Sequence, residues 1–186
     1  MNPTSLSEAD TCRLFVTPAL HAAGWGQGST LIGEQRTFTA GRIIVTGGIV
    51  RRGKQKRADY ILFLRRDYPI AVVEAKEVGR PAEDGVQQAR EYAEILGLKF
   101  AYATNGNRII EIDYLTGTET EVSAYPTADE LWQRLSGAQG IGAAETRHLL
   151  EPSNLVSGKV PRYYQQIAIH RVIEAILRGQ TRVLVT

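Results

Sequence analysis

Between Asp59 and Lys76 the chain carries two short apolar runs, Tyr60–Leu64 and Ile70–Ala75, joined by the polar stretch Arg65–Pro69. Apolar runs of this length, without polar alternation, are typical of strands buried on both faces, and the polar break between them predicts a hairpin. A hairpin of that kind cannot stand alone. It needs further layers to cover it, and the order of helices and strands around it points to an α/β fold.

The flanking sequence supplies those layers. Ser7, with Asp10 three residues on, predicts a capped helix running to about Ala23, its apolar face made by Leu14, Phe15, Pro18, Ala19 and Ala22 and its end set by Gly24. Residues 35–50 read as strands broken at Gly47-Gly48. Pro81–Gly97 is helical, with Val86, Ala89, Ala93 and Leu96 as its stripe, and Phe100–Thr104 and Ile109–Ile112 are strands about Asn105-Gly106. Thr127 caps a helix to Leu135, with Glu130 completing the box. The Gly-, Ser-, Ala- and Pro-rich stretch after it reads as a linker, followed by an amphipathic helix, Tyr163–Arg178, and a strand, Thr181–Thr186. The expectation is an α/β fold with a mixed central sheet flanked by helices.

Composition narrows the function classes only slightly. A net charge of +2 on 186 residues gives no overall nucleic-acid signature, so local charge has to carry that argument. The single cysteine, Cys12, excludes an intramolecular disulfide and is expected to be a small buried apolar residue. The N-terminal residues lack the pattern of a secretory signal, and no apolar run approaches the ~20 residues that span a bilayer. A cytoplasmic protein without membrane contact is expected.

The chemistry concentrates at the ends of the hairpin. Glu74 and Lys76 are two apart on a strand and so share a face. A turn centred on Arg66 and Asp67 would oppose Asp59 to Glu74, with Cβ atoms ~4.5–5.5 Å apart. Two carboxylates so close in apolar surroundings repel each other unless a cation or proton intervenes. Mg²⁺ suits such a pair, because it takes hard oxygen ligands. Lys76 is placed to orient or deprotonate an attacking water, or to neutralise charge on a phosphate. On the next helix Gln88 and Tyr92, four apart, share one face, from which an amide and a phenol could reach a phosphate or the metal's water; taken alone, the pair reads as a surface glutamine beside a half-buried tyrosine. Five basic residues, Arg51, Arg52, Lys54, Lys56 and Arg57, end just before Asp59 and form a candidate path for DNA phosphates.

Several other motifs fail. Gly48–Lys54 fits the first seven places of a phosphate-binding loop, but Gln55 stands where a Ser or Thr ligand is needed. His21, His148 and His170 have no metal-ligand spacing.

Asp59, Glu74-Ala75-Lys76 and Gln88–Tyr92, in that order, resemble the PD-(D/E)xK nuclease superfamily in its RecB-like form. Ser7–Thr11, Ala23-Gly24-Trp25, Val73–Lys76 and Ala103–Gly106 make the chain similar to the N-terminal domain of the motor and endonuclease subunit of type I restriction enzymes. Ala58 stands where the motif's proline can occur. The resemblance implies that Asp59, Glu74 and the Ala75 carbonyl bind Mg²⁺, that Lys76 serves the water, and that Gln88 and Tyr92 support it. Glu8 matches an acidic position on the first helix. Val160–Gln165 resembles the adenine-recognising motif that precedes a superfamily 2 helicase core, with Gln165 as the nucleotide contact.

The implied organisation is a nuclease domain over 1–140, a linker over 141–160 and the start of an ATP-driven motor over 161–186. ATP would then be a cofactor of the longer protein only. The implied partners are double-stranded DNA and the specificity and methyltransferase subunits of a restriction–modification complex. Two other readings share part of the pattern: a non-catalytic DNA-binding or docking module of a helicase, and the nuclease domain of another helicase–nuclease. The intact Asp, Glu and Lys set argues against the first, since buried negative charge facing phosphate serves no binding module.

Overall fold

The computed structural model describes residues 6–39, 43–46, 49–52, 55–150 and 163–184. Its centre is a six-stranded mixed sheet made of β1 (Leu31–Thr39), β4 (Gln55–Arg65), β5 (Tyr68–Ala75), β6 (Phe100–Thr104), β7 (Ile109–Asp113) and β8 (Thr118–Val122), in that spatial order. Two further strands, β2 (Ile43–Thr46) and β3 (Ile49–Arg52), pair among the described residues only with each other. Every neighbouring pair in the large sheet is antiparallel except β5–β6. Parallel strands need a crossover, and here it is a short turn, Ala82–Gly85, leading into helix α2 (Val86–Leu96).

The hairpin β4–β5 is buried on both faces, as its sequence requires. Tyr60, Leu62, Ile70, Val73, Phe100 and Tyr102 pack on one side with Trp25, Leu131 and the N-terminal helix. Ile61, Val72 and Ala101 pack on the other side with Ala89, Tyr92, Ala93 and Leu96 of α2. Gly97 ends α2 at φ +68, where a side chain would be strained.

The N-terminal helix, α1, runs from Glu8 to Ala22, with a π turn at Cys12–Val16 where the Thr17 N–H donates to the Cys12 carbonyl. Ser7 and Asp10 form the expected capping box. The buried stripe, however, is Cys12, Val16 and Leu20, while Leu14 is exposed. Cys12, Val16 and Leu20, four apart, form the stripe that packs into the core, with Ala19 partly buried beside them. Cys12 is buried as expected, and burial pushes its thiol up to about 11.

Four further differences appear toward the C-terminus. Strand β8, Thr-Glu-Thr-Glu-Val, has no apolar face to announce it, and as an edge strand it needs none. Helix α3 (Ala128–Gln139) starts at the Thr127–Glu130 box but outruns its expected end. The stretch read as a linker contains helix α4 (Ala143–Leu150), whose Leu149 is fully buried and whose Leu149 carbonyl accepts from Arg65 Nη2 at 2.9 Å. Helix α5 (Tyr163–Leu177) forms where expected. Its His170 packs on Tyr68, centroids 4.7 Å apart, at the turn end of the hairpin. Thr181–Leu184 is not a strand, since no described strand pairs with it to satisfy its backbone. No helix among the described residues is long and apolar enough to cross a membrane.

Candidate active site

The pairs Tyr60–Val73, Ile61–Val72 and Leu62–Ala71 follow the expected hairpin register, which slips only nearer the turn. One step beyond Tyr60–Val73 lie Asp59 and Glu74, 6% and 2% exposed. The main-chain N–H of Ala75 donates to Asp59 Oδ2 at 2.8 Å, and Gln35 Nε2 donates to Oδ1 at 2.9 Å. Lys76 Nζ lies 3.0 Å from Glu74 Oε1, 3.0 Å from Gln88 Oε1 and 3.8 Å from Glu8 Oε2. Gln88 Nε2 donates in turn to the Tyr92 hydroxyl at 2.8 Å.

Local packing explains how α2 reaches the site. Gly85, just before α2, has no side chain to hold the two apart: a Cβ there would meet the Ala103 methyl at 3.3 Å and the Glu74 carbonyl oxygen and Lys76 Cγ at 3.6 Å. The first turn of α2 therefore sits against the end of β5, and residues four apart on it, Gln88 and Tyr92, line up toward Lys76. The structure thus brings Asp59, Glu74, Ala75, Lys76, Gln88 and Tyr92 together, and adds Glu8 from α1.

Gln35 is the residue that the sequence did not disclose. It comes from β1, far from the motif, and an isolated glutamine carries no signal. Only the β1–β4 register places it beside Asp59.

Electrostatics single out Glu74. Burial above all, and then the charge of Asp59, pushes its carboxyl up to about 8, with Lys76 offsetting only part of this. Glu8 is also raised, first by burial and then by Asp59. Burial opposes the charge on Lys76, but Glu74, Glu8 and Asp59 outweigh it and keep the ammonium protonated.

A second buried acidic pair in the same sheet behaves oppositely. Arg134 on α3 donates to Glu111 Oε1 at 2.8 Å and to Asp113 Oδ2 at 2.6 Å, while the Tyr102 hydroxyl donates to Glu111 at 2.7 Å. Burial works against the Asp113 carboxylate, yet the Arg134 hydrogen bond holds its pKa below the usual range.

That contrast is a test of fit for a metal ion. At the Glu111–Asp113 pair the protein supplies its own cation in full. At Asp59–Glu74 it supplies one lysine, and Glu74 Oε2 is buried with no hydrogen-bond partner among the described residues. Among the described residues no three His, Cys, Asp or Glu side chains converge to cage an ion by themselves. Two carboxylates with a free buried oxygen fit Mg²⁺, which binds through one or two carboxylates and keeps its other positions for water and phosphate.

The basic stretch is only partly within the described residues. Arg51 and Arg52 lie on β3, but their side chains, and Lys54 altogether, fall outside what the structure describes. Lys56 is paired with Glu91 at 2.6 Å and lies 5.9 Å from the centre of the Tyr92 ring, so its charge is already engaged beside the site. Arg57 is exposed. Gln165 is exposed on α5.

Residues 29–126 match the family model described as the N terminus of type I restriction enzyme R proteins. The chain is 36% identical over 192 residues to the endonuclease subunit of the type I restriction enzyme EcoAI from Escherichia coli, an overlap of 99% of this chain and 24% of that protein. A solved fragment described as an HsdR subunit of a type I restriction enzyme from Vibrio vulnificus YJ016 superposes with a TM-score of 0.87 at 53% identity. That match covers 99% of this chain and 35% of the solved one. The chain therefore spans about a quarter of the length of the curated relative.

Proposed function

The chain belongs to the family of type I restriction enzyme R protein N termini, and from that premise we propose that it is the Mg²⁺-dependent endonuclease domain of such a subunit, hydrolysing DNA phosphodiester bonds. The observation that carries the reading is the buried Asp59–Glu74 pair with its unpartnered Glu74 oxygen and one adjoining lysine. A site built only to bind DNA would not bury two carboxylates where phosphates approach.

Asp59 and Glu74 would hold the ion, with the Ala75 carbonyl as a third ligand. Bound there, Mg²⁺ supplies positive charge at the scissile phosphate. Lys76, kept protonated by its acidic neighbours, serves as a charged hydrogen-bond donor to the attacking water or a phosphate oxygen. Gln88 and Tyr92 fix its ammonium group laterally. Glu8 adds charge that favours the protonated lysine.

In the longer protein this domain, residues 1–140, is followed through 141–160 by an ATP-driven DNA translocase beginning near 161, with Gln165 contacting the nucleotide. Cleavage then takes place within a complex that includes specificity and methyltransferase subunits.

Mg²⁺ or Mn²⁺ is expected to raise the melting temperature of this chain. At a hundredfold excess over the dissociation constant the stabilisation is about 2.7 kcal/mol. Asp59→Ala is expected to lose the effect. The check is a thermal melt of both proteins across a metal series, and an equal shift in the two would remove the ion from Asp59.

The basic stretch has its own test. Each phosphate contact steepens the fall of affinity with salt by ~0.9 in log–log slope. Replacing Arg51, Lys54 and Arg57 with Ala is expected to flatten the slope by about two to three, equally on two unrelated duplexes, because backbone contacts read no bases. Lys56, already tied to Glu91, is left in place. An unchanged slope would make the stretch a solvated surface, and a loss confined to one duplex would mean base readout.

A further inference from the structure

Strand β1 pairs with β4 through Glu34–Tyr60 and Arg36–Ala58, and between these Gln35 lies level with Asp59 without joining the ladder. Its φ is +48, and it is the one non-glycine residue among the described residues with a positive φ. A glutamine there pays a steric cost that a glycine would not. Strained backbone of this kind persists where the surrounding structure enforces it, and distortions in a strand re-aim side chains beside functional sites.

What the distortion delivers is one hydrogen bond. Gln35 Nε2 reaches Asp59 Oδ1 at 2.9 Å, while the Ala75 N–H holds Oδ2 at 2.8 Å. With both bonds made, the carboxylate cannot turn about its Cβ–Cγ bond. With the Ala75 bond alone, it can. The amide is also the right chemistry for the task, because it donates a hydrogen bond yet carries no charge. A lysine or arginine in its place would neutralise Asp59 and compete with a cation.

We propose that Gln35 is a positioning residue, held in a strained left-handed conformation so that its amide orients the Asp59 carboxylate toward a divalent cation shared with Glu74. The inference rests on the cation-binding reading above. Gln35 acts through Asp59 and touches neither the ion nor the phosphate.

Two substitutions separate the amide from the strain. Gln35→Gly removes both, and Gln35→Met removes the amide but keeps a side chain at φ +48. Each is compared with wild type and Asp59→Ala in this chain by calorimetric Mg²⁺ titration and by thermal melting in chelator.

Partners that orient a metal ligand typically contribute 10–100-fold in affinity. Both Gln35 variants are therefore expected to bind Mg²⁺ about tenfold more weakly. In chelator Gln35→Gly is expected to melt no lower than wild type, since glycine adopts the left-handed conformation freely. A merely structural role predicts instead that affinity and melting temperature fall together, or that affinity does not move, and either result overturns the inference. Wild type without Mg²⁺ affinity, or Asp59→Ala with full affinity, overturns the cation reading itself, and the inference with it.

Discussion

Lys76→Ala in the full-length subunit is expected to lower DNA cleavage by about three orders of magnitude while leaving ATP hydrolysis within about twofold. Removing one preorganised charged donor or proton-transfer group typically costs a factor of 10²–10⁴. Lys76 is engaged on three sides, by Glu74, Gln88 and Glu8, and an alanine replaces none of these contacts.

The expected survival of ATPase activity follows from distance. Glu74 lies at one end of β5, whereas α5, which bears Gln165, meets the hairpin at Tyr68. Six residues of strand at ~3.4 Å each put about 20 Å between the two ends. The measurement is cleavage of a plasmid carrying the enzyme's sites, in parallel with phosphate release. Loss of both activities in a protein that stays folded and assembled would show that the two sites are not independent.

Glu74→Gln is expected to stabilise the metal-free chain, and to do so only above acidic pH. The wild-type carboxyl, raised from 4.5 to about 8 chiefly by burial and then by Asp59, binds its proton more tightly folded than unfolded. Its favourable contribution is therefore complete below about pH 4.5 and is lost as pH climbs toward 8. A neutral amide keeps an acceptor for Lys76 and has no proton to lose. At about 1.4 kcal/mol per unit of pKa difference, the variant should be more stable than wild type by ~2–4 kcal/mol at pH 8, with that advantage nearly gone at pH 5. Saturating Mg²⁺ should narrow the gap by stabilising wild type alone. Denaturant unfolding at the two pH values, with chelator and with Mg²⁺, measures all of this. A difference that does not change with pH would mean that Glu74 is ionised in the folded chain at both.

How much of this was legible in the sequence depends on whether the information was local. Glu74, Lys76, Gln88 and Tyr92 were readable because strand and helix periods fix which residues share a face. Asp59 was readable because one turn fixes one register, and the register held through Tyr60–Val73 despite its slip near Phe63. Strand β8 was hidden because alternating Thr and Glu resembles any solvated loop, and α4 because Gly and Ala around it resembled a linker. Gln35 was hidden for a different reason. Its role lies in a backbone angle and in its position across the sheet from Asp59, and neither leaves a trace in residue type. Val183 and Leu184 have strand chemistry, but no described strand is there to pair with them.

The π turn of α1 sets the rotational phase of everything N-terminal to it. An α-helix advances by about 100° per residue, so deleting one residue within Cys12–Val16 would let the segment close as ordinary α-helix and swing the first turn by roughly that angle about the axis. Leu20 and Trp25 would keep their seats in the core. Glu8, one turn beyond the irregularity, would no longer face Lys76. The extra residue thus works as an angular offset between the half of α1 that anchors and the half that addresses the site, and it lets a single helix meet two surfaces that a regular one could not face at once.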